Sequence, residues 1–260
     1  KYFLGVDNLV YMALRKGRRE LDALKDSVDL VIADSRFNAI DLETRHSYQG
    51  IVVSPLIKNF TRYDGKNPNP ERLVKWRSDK KTILFIGRIT ANKRIDRLIQ
   101  TLAVYVKLYG PDIRLVVPGS WKSNKPHKDS LLKLIARLGL EGLVELPGFI
   151  DDDDFIALFS MADVYLSLSE HEGFGVPLLE AMYFKTPVVA YDACSIPEVM
   201  GRAGIKLHSN DPVTTAVVLR ELFENNKLCS RIVSGQDERL KEFSRENIEP
   251  GLKKAFEPLL

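Results

Sequence analysis

The stretch "EHEGFGVPLLEAM", Glu170 to Met182, follows the apolar run "DVYLSLS" and carries more polar chemistry than a strand-to-helix turn requires. Gly173, Phe174 and Gly175 precede an amphipathic segment that starts near Val176. Glycine lets a backbone approach a ligand closely, and the first turn of a helix presents unpaired N–H groups with a partial positive charge, so a phosphate suits this turn. Glu172 and Glu180 bracket it with seven residues between them, one carboxylate in the loop and the other on the helix. A carboxylate is a poor partner for phosphate but accepts hydrogen bonds from two adjacent hydroxyls. The combination implies a ligand with a charged middle and hydroxylated ends. In the plainer reading Glu180 is an exposed helix residue and Glu172 belongs to a solvated loop.

A second group lies in "FIGRITANKRID". Arg88 and Lys93 are five residues apart, one at a strand end beside Gly87 and the other at the start of the next helix. Two long cations converging there can hold a diphosphate, arginine as a fork and lysine as a point charge. Each such charge-assisted contact is worth roughly 1.5–3 kcal/mol. The alternative is a pair of solvated surface residues. The run "DDDD", residues 151–154, could hold a divalent cation beside nucleotide phosphates. It also immediately precedes the apolar helix "FIALFSMAD", where aspartates cap the first turn and complement the helix dipole, and this second reading is preferred. His171 lies beside Glu172, either lining the same pocket or exposed in its loop, whereas His46, His127 and His208 show no spacing for metal or triad chemistry.

The elements that must position these groups follow from the pattern of apolar residues. Runs rich in Val, Ile and Leu at 29–33, 50–54, 81–87, 113–119, 143–148, 163–169, 186–192 and 204–209 read as strands covered on both faces. Between them lie helical segments. In "KRIDRLIQTLAVYVKLYG" the residues Ile95, Leu98, Ile99, Leu102 and Val106 form one stripe, and Gly110 with Pro111 ends the run. The same logic gives helices near 127–138, 154–162, 176–184, 212–224 and 227–242. Alternation of strand and helix predicts an α/β fold, a doubly wound parallel sheet of about six strands with helices on both faces. Ligands of such sheets bind at the carboxyl ends of the strands, where both groups above fall.

A boundary is expected in "KNFTRYDGKNPNPERL", residues 58–73, where two prolines, three asparagines and a glycine interrupt the pattern. The expected organisation is residues 1–66 as the end of another α/β domain with its linker, 67–242 as the doubly wound ligand-binding domain and 243–260 as a helical tail. The chain has 260 residues, 45% of them hydrophobic and 28% charged, with a net charge of +3. That charge is too mild to argue for nucleic acid, although it suits an anionic small ligand or membrane surface. No apolar stretch reaches the roughly 18–20 residues of a membrane span, and the expectation is a cytoplasmic protein. Cys194 and Cys229 lie outside any CxxC pattern and read as small buried hydrophobes. The basic cluster "RKGRRE", residues 15–20, could bring the protein into peripheral contact with the inner membrane face, but a solvated helix face is the preferred account.

The joint pattern of "FIGRITANKRID", "EGFGVPLLEAM", "TPVVAYDACSIPEV" and the "GF" that follows the strand at 143–148 resembles the C-terminal domain of family 4 retaining glycosyltransferases, which have the two-domain GT-B architecture. The similarity is close over residues 80–210, and residues 28–60 resemble the last strands of the family's N-terminal domain. Arg94 departs from the pattern, since many members have glycine after the lysine. The resemblance implies that Arg88 and Lys93 bind the donor diphosphate, that Glu172 contacts the transferred sugar and that Glu180 takes the ribose hydroxyls. It further implies that the backbone at Gly173, Phe174, Gly175 and Val176 meets the phosphates, and that Phe149 borders the nucleobase. The substrates implied are a nucleoside-diphosphate sugar, GDP- or UDP-linked, and a glycan or lipid-linked saccharide acceptor, with no cofactor and no metal.

Rival readings share the fold. A dinucleotide-dependent dehydrogenase is disfavoured because "GFGVPL" has leucine where the third glycine belongs, and it follows the sixth predicted strand of the chain instead of the first of its domain. A nucleotide-sugar epimerase or a glycan phosphorylase has the same broad architecture. So does a module that binds a nucleotide sugar without turnover.

Overall fold

The computed structural model describes residues 17–57, 60–121 and 125–260. The chain divides into two units, one made of residues 1–57 with 245–260 and the other of residues 58–244. In the first, helix α1, described over residues 17–24, is followed by β1 (Ile32–Ala33), α2 (Arg36–His46) and β2 (Val52–Val53). The two short strands pair in parallel, Ile32 opposite Val52 and Ala33 opposite Val53. Ser35 caps α2 by accepting a hydrogen bond from the Asn38 amide, and Tyr48 ties the end of α2 to α1 by donating to the Leu21 carbonyl at 2.6 Å. Of the basic cluster, Arg15 and Lys16 lie outside the described residues. Arg18 is exposed and donates to the Arg45 carbonyl at 3.2 Å.

The second unit holds α3 (Pro70–Trp76), β3 (Lys81–Leu84), α4 (Ile95–Tyr109), β4 (Ile113–Pro118), α5 (Lys125–Arg137), β5 (Val144–Gly148) and α6 (Asp152–Met161). It continues with β6 (Val164–Ser167), α7 (Val176–Tyr183), β7 (Val188–Tyr191), α8 (Ile196–Met200), β8 (Ile205–Leu207), α9 (Pro212–Glu224) and α10 (Asn226–Lys241). Helix α11 (Arg245–Phe256) belongs to the first unit. The six strands of the second unit form one parallel sheet in the order β5-β4-β3-β6-β7-β8. Every residue of β4 and of β6 is buried, as expected of strands covered on both faces. The α4 stripe of Ile95, Leu98, Ile99 and Leu102 is fully buried.

The strand order decides where a ligand can sit. From β3 the chain runs outward through β4 to β5, then returns to β6 beside β3 and runs the other way to β8. Loops that leave β3 and β6 therefore diverge to opposite sides and open a crevice between them. The loop after β3 carries Gly87, Arg88 and Lys93, and the loop after β6 carries Glu170 to Gly175.

Two short helices escaped the periodicity reading. Helix α8 has five residues and α3 has seven, too few for an apolar repeat to declare itself. The N-terminus of α3 is set by local chemistry, with Asn69 accepting from the Glu71 amide at 2.9 Å and Pro70 in the first turn. This helix carries the partners of the acidic run. Asp151 caps α6 by accepting from the Asp154 amide at 2.8 Å and pairs with Arg72 at 3.0 Å. Asp154 is buried and accepts from Lys75 Nζ and Trp76 Nε1, each at 2.7 Å. Asp152 pairs with Arg62, and Asp153 accepts from Asn69 at 3.4 Å. All four aspartates thus serve the packing of α6 against residues 62–76.

Candidate active site

Lys93 ends a short 3-10 turn, Ala91–Lys93, that follows β3. Its Nζ lies 2.5 Å from Glu172 Oε2, and both side chains are largely shielded, 17% and 15% exposed. The two loops that meet here are stitched by backbone groups. Asn92 accepts from the Glu170 amide at 2.9 Å and donates through Nδ2 to the His171 carbonyl at 3.1 Å, which Lys93 Nζ also approaches at 3.5 Å. Arg94 adopts the left-handed region at φ 49°, the conformation that glycine takes without strain. Its guanidinium is held by Asp96, with a contact of 3.0 Å, and by Glu170, which fixes an arginine where glycine would otherwise serve.

Across the crevice, Gly175 stands before α7 at φ 93°, and a Cβ there would lie 2.9 Å from Leu178 Cδ1. Only glycine fits this turn without movement. Phe174 points into the core, 6% exposed with its ring edge-on to Phe243 at 5.9 Å, so its contribution to the crevice is its backbone. Gly173 and Val176 lie on either side of it, and Val176 opens α7. Glu180 is buried at 7% exposure, which rules out a solvated helix position. Its Oε1 accepts from the Tyr63 hydroxyl at 3.0 Å.

Tyr165 of β6 lies within electrostatic reach of both carboxylates. Its hydroxyl donates to the Ile86 carbonyl at 3.4 Å, and burial, reinforced by the negative charges of Glu172 and Glu180, holds the phenol well above its ordinary pKa. On the far side of β3, Gly87 lines a cleft of about 210 Å³ together with Gly119, Phe149, Asp152, Phe155 and Arg62. Phe149 is 84% exposed at its rim. Arg88 is exposed at the end of β3 and forms no side-chain hydrogen bond or ion pair with the described residues. The structure thus brings Lys93 and Glu172 into contact and puts Gly87 and Phe149 on one cleft.

Residues 69–239 match the family described as Glycosyl transferases group 1. The chain belongs to this family. It is 29% identical over 165 residues to the O-antigen chain mannosyltransferase B of Escherichia coli, covering 63% of this chain and 42% of that protein. It is 33% identical over 156 residues to the D-inositol 3-phosphate glycosyltransferase of Streptomyces avermitilis, covering 57% of this chain and 33% of that one. The chain therefore spans less than half the length of these relatives. Among solved structures, a glycosyltransferase from Rickettsia africae matches with a TM-score of 0.75 at 24% identity, over 88% of this chain and 63% of that one. Anabaena Alr3699/HepE, solved with UDP and glucose, matches with a TM-score of 0.76 at 22% identity, over 92% of this chain and 67% of that one. The six-stranded parallel sheet flanked by helices thus has the same fold as these structures.

Several residues of the candidate site have no signal in the sequence. Tyr63 lies in the proline- and asparagine-rich stretch, and its bond to Glu180 spans 117 positions. Gly119 closes the run "IRLVVPG", and a Cβ on it would lie 1.7 Å from the Gly87 carbonyl oxygen, so the two strand ends meet at a distance only glycine permits. Cys194 is half-buried instead of buried, its Sγ 3.3 Å from the Glu170 carbonyl and 3.5 Å from His171 Nδ1. Cys229 is half-buried as well. His171 is exposed and presents its carbonyl to the site. Among the described residues, no three His, Cys, Asp or Glu side chains cluster to hold a metal ion, and no helix is long and apolar enough to cross a membrane.

Proposed function

We propose that this protein is a retaining hexosyltransferase. It moves a mannose-like or glucose-like sugar from a nucleoside-diphosphate donor to a hydroxyl of a glycan or lipid-linked saccharide. The observation that carries the reading is the contact between Lys93 and Glu172 at the reversal of strand order. There a cation for the leaving diphosphate and a carboxylate for sugar hydroxyls sit side by side, 2.5 Å apart. The opening of α7 behind Gly175 adds N–H groups with partial positive charge, which suit the same phosphates. Glu180 takes the ribose hydroxyls, and the cleft rimmed by Phe149 takes the nucleobase. The E. coli relative is a mannosyltransferase and the Anabaena neighbour was solved with UDP and glucose, which supports a hexose and a nucleotide donor in that broad sense.

The hard step is departure of the nucleoside diphosphate, because negative charge grows on the β-phosphate as the glycosidic bond breaks. Fixed donors aimed at that charge lower the barrier. Arg88, Lys93 and the first turn of α7 supply them from the chain itself, so transfer proceeds without a resident metal. Lys93→Ala tests this directly. The variant should keep its circular dichroism and melting temperature while hexose transfer falls about a hundredfold or more. Near-normal transfer by that variant would remove Lys93 from the site. A chelator should leave wild-type transfer unchanged, and abolition of transfer by chelation would assign the diphosphate charge to a metal ion instead.

A further inference from the structure

Glu180 lies inside α7 with 7% exposure, and a side chain from a distant stretch of sequence fixes one of its oxygens. The Tyr63 hydroxyl donates to Oε1 at 3.0 Å. Tyr63 is itself 2% exposed and is held on several sides. Its ring stacks on Phe155 at 5.2 Å with the planes 10° apart, and Phe184 lies 5.3 Å away. The Arg62 guanidinium stands 4.8 Å over the ring and pairs with Asp152. The ring cannot turn without opening this cluster, so the hydroxyl has one direction. Burial, followed by the charge of Glu180, keeps the phenol protonated far above its ordinary range, and it remains a donor at any working pH.

A carboxylate grips two neighbouring hydroxyls only when its own two oxygens face them, which requires a fixed side-chain rotamer. Left to itself, a glutamate has three rotatable bonds, and ordering them on ligand binding costs affinity. We infer that Tyr63 is the positioning residue for the donor's ribose, holding Glu180 in the orientation that meets both ribose hydroxyls and thereby setting the preference for ribonucleotides over 2′-deoxyribonucleotides. The inference rests on the donor reading above. It assigns a role to a residue outside the sequence motif, since neither spacing nor composition connects position 63 to the crevice.

The replacement Tyr63→Phe keeps the ring and its stacking and deletes only the hydroxyl. Wild type, Tyr63→Phe, Glu180→Gln and the double variant are titrated with UDP, GDP and their 2′-deoxy counterparts. The wild type should prefer the ribo form. In Tyr63→Phe the dissociation constant for the ribo form should rise about tenfold, with the 2′-deoxy form little changed. In the Glu180→Gln background the further loss of the Tyr63 hydroxyl should change affinity less than about twofold, because the two residues act as one device. A purely structural Tyr63 would weaken ribo and 2′-deoxy binding equally. Full retention of the ribo preference in Tyr63→Phe, or an undiminished effect of that change beside Glu180→Gln, overturns the inference and leaves the donor reading standing. Failure of the wild type to bind any of these nucleotides overturns both.

Discussion

Gly119 and Gly87 make a very close backbone approach at the cleft beside β3, and the consequence is local and severe. A methyl group on Gly119 would lie 1.7 Å from the Gly87 carbonyl oxygen, so Gly119→Ala must push apart the ends of β3 and β4. Overpacking of this kind costs about 1–3 kcal/mol, and here it also displaces the loop that carries Arg88 and Lys93. The expected result is a lowered denaturation midpoint together with weakened nucleotide binding. Gly173→Ala makes a control, since a Cβ there meets nothing within 4 Å and stability should hold. What could be read of the site at this scale depended on how far apart in sequence the partners lie. Gly175, Glu172 and Glu180 fall within one short stretch, and their types announce a turn, a phosphate and hydroxyls. The Lys93–Glu172 pair spans 79 positions and needed two such stretches, each conspicuous in itself. Tyr63 stayed hidden because its neighbours in sequence signal only a loop, and its value comes entirely from the helix it reaches.

The same contrast holds for elements. The strands that build the sheet were visible as Val-, Ile- and Leu-rich runs, and α4 as a stripe of buried residues at helical spacing, because both depend on periodicity that survives in one dimension. Helix α3 was not visible, being a seven-residue helix whose worth lies in what it offers α6. That docking makes a testable unit. Asp154 is 5% exposed and accepts from Lys75 and Trp76. Burial opposes its charge, but those two hydrogen bonds together with the positive charges of Lys75 and Arg72 outweigh burial and hold the carboxyl below the usual carboxylate range. A depressed folded-state pKa means that the unfolded chain takes up the proton first. The stabilisation is therefore fully present above about pH 4 and is lost as pH falls through the folded value. Asp154→Asn should cost about 2 kcal/mol near neutral pH. The gap between variant and wild type in denaturant midpoints should narrow steadily as the pH is lowered below about 4. A gap independent of pH would mean that the loss comes from packing and not from charge.

At the scale of the whole molecule, the question is which nucleotide the proposed donor site accepts, and thermal stability answers it. The two units of the chain carry different parts of the fold, and every residue argued to touch the donor lies in residues 58–244. A ligand that binds the folded form alone stabilises that unit by an amount fixed by its concentration relative to the dissociation constant, about 2.7 kcal/mol at a hundredfold excess. For a unit of this size, each kcal/mol moves the melting temperature by roughly 2–4 °C, so the true donor should raise it by roughly 5–10 °C. Nucleoside diphosphates and their glucose and mannose conjugates, tested side by side, should therefore separate into one base that shifts melting strongly and others that barely move it. Phe149→Ala should reduce the shift for the preferred base, because it removes the exposed ring at the rim of the cleft, while leaving the melting temperature of the unliganded protein unchanged. Equal shifts from all bases, insensitive to Phe149, would move base recognition away from the cleft beside Gly87 and Gly119.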